Sequence, residues 1–240
     1  MKKLIVLLLP IALMASSCRW VGAKRVKGNG NLKTENRSAS NFKGVESFGS
    51  FDVYISVGTQ HAVRIEAEEN LLPLIEVWVD GDVLKVKSKD GFWLSPKRDI
   101  KVYITAPDYR RIYSYGSGNI NGDTKVTGSG KIDLGVAGSA NINLDVDAPE
   151  IEGDISGSGN MSLKGTTKKF DGQIAGSGNI YAMELQSEET RVKIMGSGNA
   201  DVYASVKLDI NVSGSGDIRY KGGAQVNSNI AGSGNVMKVD

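Results

Sequence analysis

Apolar and polar residues alternate along much of this chain in short runs. Met161 and Leu163 are followed by Phe170 and Ile174; Ile180 and Ala182 by Val192 and Ile194; Ala200, Val202 and Ala204 by Leu208, Ile210 and Val212. A period of two puts successive side chains on opposite faces, so each run predicts a strand with one buried face. That period, together with the density of glycine, excludes helix. Ile142, Leu163, Ile180, Val202, Ile210 and Ile218 are therefore expected in one aliphatic column, with Asn143, Lys164, Tyr181 and Tyr203 pointing outward.

A repeated block punctuates the runs. Gly116-Ser117-Gly118-Asn119-Ile120 recurs in close variants beginning at Gly128, Gly138, Gly157, Gly176, Gly196, Gly214 and Gly232. From Gly138 onward the spacings are 19, 19, 20, 18 and 18 residues. Each repeat reads as two short strands joined at one corner by the glycine block and at the other by a variable polar turn. One repeat alone buries too little to offset backbone ordering, at about 1–2 kcal/mol per residue. Stacking successive coils about 4.8 Å apart pairs every strand with its equivalents above and below, in parallel. The predicted fold is all-β, a parallel β-solenoid. At the corner, glycine supplies φ > 0 and serine is small enough to bond neighbouring backbone. The following asparagine tolerates left-handed backbone and can share amide hydrogen bonds with its counterpart one coil away.

Upstream, from Phe42 to Tyr115, the alternation persists without the blocks. Val53, Ile55 and Val57, then Val63 and Ile65, Val77 and Val79, and Ile100, Val102 and Ile104 mark strands, with a turn at Asp80-Gly81-Asp82. This half reads as irregular opening coils, with a hairpin capping one end; a separate small β domain is the alternative.

The first residues are of another kind. Lys2 and Lys3 precede an apolar run, Leu4 to Met14, broken at Pro10, and Ala15-Ser16-Ser17 lead into Cys18, the single cysteine. The run is too short for a permanent span and reads as a lipoprotein signal. The expected organisation is residues 1–17 as signal, 18–40 as a tether acylated at Cys18, and 41–240 as solenoid, irregular over 41–115 and regular over 116–240. The membrane is thus an expected partner through the N-terminal lipid, in the cell envelope and at the outer membrane. Trp20 is expected at the membrane interface or in the tether.

The Gly-Ser-Gly-Asn-Ile blocks, the upstream stretch Phe42 to Val57, Asn70-Leu71-Leu72, Asp80-Gly81-Asp82-Val83-Leu84, and the junction from Ala106-Pro107 to Tyr115 together resemble the auto-transporter adhesin head GIN domain family. The resemblance runs from about Gly28 to the end. It implies a right-handed parallel β-helix; the family's name refers to adhesion, but the resemblance does not itself imply an activity.

Charge and motif checks narrow the function. The chain has 29 Lys and Arg against 27 Asp and Glu, and removing Lys2 and Lys3 balances the signs. Without a basic run, nucleic acid is not an expected partner. Gly128-Ser129-Gly130-Lys131 is followed by Ile132 and no helix pattern, so it is not a phosphate loop. The blocks offer asparagine where calcium-binding repeats need aspartate. His61 is the only histidine, which leaves zinc sites and Ser-His pairs without parts. No cofactor or metal is expected. The acidic run Asp145, Asp147, Glu150, Glu152 and Asp154 reads as a solvated face. Its alternative is a polysaccharide-acting enzyme whose carboxylates work as an acid/base pair. Aromatics suggest recognition instead. Tyr54, Tyr103, Tyr113 and Tyr115 fall at outward positions, with Arg111 beside them, and Phe92-Trp93-Leu94 form an apolar loop. These residues are the candidate surface for a glycan or protein ligand, with an end cap as the competing role for Phe92 and Trp93. The leading reading is a non-catalytic envelope protein that presents this surface; besides the enzyme, a purely structural role in the envelope is the other alternative.

Overall fold

The computed structural model describes residues 23–239; the signal segment, Cys18 and Trp20 lie outside the described residues. The opening strands are β1 (Lys24–Lys27), β2 (Leu32–Arg37), β3 (Gly44–Gly49), β4 (Asp52–Val57), β5 (Ala62–Glu68), β6 (Ile75–Asp80), β7 (Val83–Ser88), β8 (Phe92–Ser95) and β9 (Lys101–Ala106). The repeats follow as β10 (Arg111–Gly116), β11 (Ile120–Gly122), β12 (Val126–Thr127), β13 (Lys131–Gly138), β14 (Asn141–Gly157), β15 (Asn160–Gly176) and β16 (Asn179–Gly196). The last coils are β17 (Asn199–Tyr203), β18 (Lys207–Gly214), β19 (Ile218–Lys221), β20 (Gln225–Gly232) and β21 (Val236–Lys238).

Stacked parallel coils make a β-solenoid with two limbs meeting at a glycine corner. Before the corner, β7, β3, β10, β13, the second halves of β14, β15 and β16, then β18 and β20 pair in that order, all parallel. After it, β9, β4, β11, the first halves of β14 to β16, then β17, β19 and β21 do the same. Ile142, Leu163, Ile180, Val202, Ile210 and Ile218 are all buried in the single core cluster. Asn143, Lys164 and Tyr181 are exposed and Tyr203 is half-exposed, as the alternation requires.

Three details depart from the reading above. In β14 to β16 the second corner does not interrupt the strand: β14 and β15 are each 17 residues long and β16 is 18. The ladder between β14 and β15 skips only the step at Pro149, between Ala148 and Glu150, and the ladder between β15 and β16 skips the equivalent step at Lys168, so the gap marks the bend and not the proline alone. Secondly, Gly128-Ser129-Gly130 is not a glycine corner. Gly128 N–H donates to Asp147 O at 3.0 Å, and Lys131 pairs with Glu150, so this block sits beside the polar corner of the next coil. The corner register runs Gly49, Gly116, Gly138, Gly157, Gly176, Gly196, Gly214, Gly232, each with positive φ. Gly49-Ser50-Phe51-Asp52 is thus the first corner, in a stretch where no block is recognisable. Thirdly, the left-handed residue is always the first glycine; no block asparagine has positive φ.

The opening coils are stacked out of chain order. The β3–β4 coil lies between the β7–β9 coil and the β10–β11 coil, so the chain leaves β4, passes under its own start and returns above it. Antiparallel strands close that end: β6 on β7 through the Asp80-Gly81-Asp82 turn, and β5 on β9 with β2 outside it. They use up pairing edges that would otherwise stay open. The ribbon β1–β8 forms a separate parallel two-stranded sheet.

Candidate ligand-binding site

Between the β1–β8 ribbon and the first glycine corners opens a cleft of about 830 Å³, lined by Phe48, Phe51, Phe92, Trp93, Leu94 and Tyr115, with Ser50, Lys87 and Asp90 also present. Phe48 and Tyr115 occupy equivalent register positions on β3 and β10, which brings their rings together at 4.8 Å and 7°. Strand twist is small over one coil, so equal positions stack almost face to face. Phe92 reaches the cleft from β8. In the ribbon, Val26 and Leu94 pair on the face packed against the core; strand alternation puts Phe92 on that face and Trp93 opposite, 53% exposed. The ribbon therefore acts as both a partial end cover, through Leu94, and one wall of the cleft.

Tyr113 extends the aromatic strip, 5.8 Å from Tyr115. Its ring lies over Gly135 of β13, where a Cβ would come within 2.1 Å of the ring, and beneath the Arg111 guanidinium at 3.8 Å. Arg111 Nε donates to Glu46 Oε1 at 2.8 Å and its NH2 group to the Tyr115 hydroxyl at 3.1 Å. Burial opposes charge on Arg111, but these bonds outweigh it and raise its pKa further. Burial raises the Tyr113 hydroxyl above its ordinary value. The result is a fixed row, Phe48, Tyr115, Tyr113 and Arg111, with Glu46 as counter-charge.

Tyr54 and Tyr103 belong to a different surface. They stack at 5.1 Å on β4 and β9, with Arg64 4.1 Å above Tyr103. That pair is on the limb after the glycine corner, whereas Tyr113 and Tyr115 precede it. The candidate residues thus fall into two clusters. Phe48, Glu46 and Arg64 were not singled out from the sequence; outward parity with Tyr115 marks Phe48, but only the register makes it a partner.

The acidic run is also divided. The chain turns at Pro149–Glu150, so Asp145 and Asp147 precede the bend and Glu150, Glu152 and Asp154 follow it. Lys131 bridges Glu152 and Asp133, and Glu150 lies in register between Lys131 and Lys169. Burial first, then the neighbouring Glu152 and Asp171 carboxylates, raise the Asp154 pKa. His61 is half-buried; its ring meets Phe42 edge-on at 4.7 Å, with Nε2 2.9 Å from the Phe42 carbonyl oxygen.

A capped parallel β-solenoid carrying an aromatic cleft beside its first corners is the class of protein these features define. The sequence profile described as "Putative auto-transporter adhesin, head GIN domain" matches residues 41–224, and the chain belongs to that family. Among solved structures it is similar to a "Putative lipid binding protein" from Parabacteroides distasonis ATCC 8503, at 28% identity and TM-score 0.74, covering 90% of this chain and 100% of that one. A "putative adhesin" from Parabacteroides merdae ATCC 43184 matches at 28% identity and TM-score 0.73, covering 91% and 100%. Another from Bacteroides fragilis NCTC 9343 shares the fold, at TM-score 0.85 and 22% identity over 89% of this chain and 100% of that one. Among curated proteins none matches the chain.

Proposed function

We propose that this chain is a non-catalytic cell-envelope protein, anchored through Cys18, that holds a glycan or protein ligand in the aromatic cleft. The observation that carries this reading is the stacked Phe48–Tyr115 pair facing Phe92 across an open cleft of about 830 Å³. Stacked rings give a flat apolar seat at low entropic cost, and Ser50, Lys87 and Asp90 supply hydrogen bonds around it. That combination suits one face of a sugar ring with its hydroxyls turned to the rim. The adhesin and lipid-binding names of similar structures agree with binding rather than turnover. The carboxylates support the same view, since Lys131 engages Glu152 and Asp133 as a structural bridge.

A glycan-array screen of the mature protein, repeated with Tyr115→Ala and Phe48→Ala, tests the reading. Binding that both substitutions weaken at least about tenfold, with melting little changed, supports it, because aromatic anchors dominate such contacts. Ligand binding indifferent to both substitutions moves the site elsewhere, and saccharide cleavage by the purified protein overturns the non-catalytic reading.

A further inference from the structure

The face of the β1–β8 ribbon turned away from the core carries a second, differently built surface. Register places Arg25 beside Trp93 and Lys27 beside Ser95, and Arg25 NH2 donates to Ser95 Oγ at 2.8 Å. Arg25 and Lys27 are exposed on this face, and Lys97 and Arg98 are exposed in the loop that follows it; Lys24, in register with Phe92, belongs to the cleft side. The acids nearby offset these charges only in part. Lys87 binds Asp90 at 2.9 Å, which leaves the buried Glu68 carboxylate and the exposed Asp99 against four cations.

Position gives the charge a use. Four residues, and so five Cα–Cα steps, separate Cys18 from Ala23, the first described residue and part of the cleft lining. Fully extended, they reach about 18 Å at most. We propose that this ribbon face is a membrane-docking surface, seating the solenoid on an anionic bilayer with Trp93 in the headgroup layer and the cations against lipid phosphates. Basic residues near an anionic leaflet attract it within about a Debye length, and tryptophan favours the interface. An acyl anchor tethers a chain without orienting it; a cationic ribbon close to that anchor supplies the orienting contact.

The nearness of a bilayer rests on the anchoring at Cys18 proposed above, and the test separates the ribbon's contribution from acylation and from the cleft ligand. Full-length chain carrying Cys18→Ser is sedimented with phosphatidylglycerol-containing vesicles and with pure phosphatidylcholine vesicles, at about 50 mM and about 500 mM salt. The expected result is a preference for anionic vesicles that high salt removes. Arg25→Gln with Lys27→Gln should reduce that binding by about ten- to thirtyfold. Trp93→Ser should weaken it less, and Lys207→Gln with Lys221→Gln, far along the rod, should leave it intact. If the double ribbon variant is poorly folded by circular dichroism, Lys97→Gln with Arg98→Gln replaces it. Equal binding to both vesicle types, or an anionic preference that survives loss of the ribbon charges, overturns the proposal. So does ribbon-dependent binding to soluble dextran sulfate without any to vesicles, which would assign the face to soluble polyanions.

Discussion

Asp52 Oδ1 accepts both the backbone N–H of Asn119, at 3.1 Å, and its side-chain amide, at 3.2 Å. This is the first rung of a ladder. Asn141 gives the same two bonds to Asn119 Oδ1, Asn160 gives its amide to Asn141, and Asn179 gives its own to Asn160. Every member donates toward the N-terminal end and accepts from the other side. A carboxylate fits where its side chain is asked only to accept: at the head, Asp52, and again at Asp217, which gives Asn199 Oδ1 its backbone N–H alone and accepts both bonds from Asn235. Asn119→Asp would instead set a second carboxylate against Asp52. We expect a loss of about 1–3 kcal/mol at neutral pH, relieved in acid as one carboxyl takes up a proton, while Asp52→Asn stays near neutral. Urea unfolding at two pH values checks both.

The two kinds of Gly-Ser-Gly block should respond oppositely to the same change. At Gly157, φ is +124° and an added Cβ would come 2.4 Å from Gly138 O in the coil below. Gly157→Ala should cost about 3 kcal/mol or more, combining a strained backbone with a displaced ladder. At Gly130 a Cβ would meet nothing within 4 Å. Gly130→Ala should change stability by no more than about 0.5 kcal/mol. Thermal melts of the two variants suffice.

Glu68 ties the N-terminal segment to the body. Its carboxylate accepts the backbone N–H groups of Gly30 and Lys97 while fully buried. Burial alone would raise its pKa, but the amides of Lys97, Gly30 and Arg98 outweigh it and hold the pKa below the ordinary value. A lowered folded pKa means the stabilisation is complete above the unfolded value, about 4.3, and lost as pH falls through the folded value. Glu68→Gln should therefore be less stable at neutral pH and show a shallower loss of stability below about pH 4.3. A pH series of denaturant midpoints measures the difference.

Tyr103→Ala with Tyr113→Ala separates packing from recognition. Both rings are half-buried and covered by arginines, Arg64 and Arg111, and Tyr113 also fills the space above Gly135. The double variant should lose about 1–3 kcal/mol of stability, because cation–π contact and ring burial go together. Tyr115→Ala, at the cleft, should cost less in stability and more in binding. Calorimetric melting beside ligand titration distinguishes the pair from the cleft residue.

Cys18→Ser tests the anchor. If acylation holds the protein, the variant should shift from the membrane to the soluble fraction after a high-salt wash, which also removes any contribution from the ribbon charges. Retention through that wash would show that lipidation is not what holds it.

Alternation alone located the buried positions, because period two is a local property and burial of one face leaves a mark at every second residue: Ile142, Leu163 and Ile218 needed no coordinates. The glycine corners and the asparagine ladder were legible for the same reason, since each coil repeats the same local demand. What the tertiary structure decided is which coil lies against which. The chain order of β3, β7 and β10 gives no hint that β3 sits between the other two, because pairing partners are chosen by long-range stacking rather than by neighbours in sequence. The same choice makes Gly128-Ser129-Gly130 part of a polar corner, Gly49-Ser50 a glycine corner, and Phe48 the partner of Tyr115. It also separates Tyr54 and Tyr103 from Tyr113 and Tyr115, since residues alike in outward parity come to lie on different limbs once the chain has turned its corner.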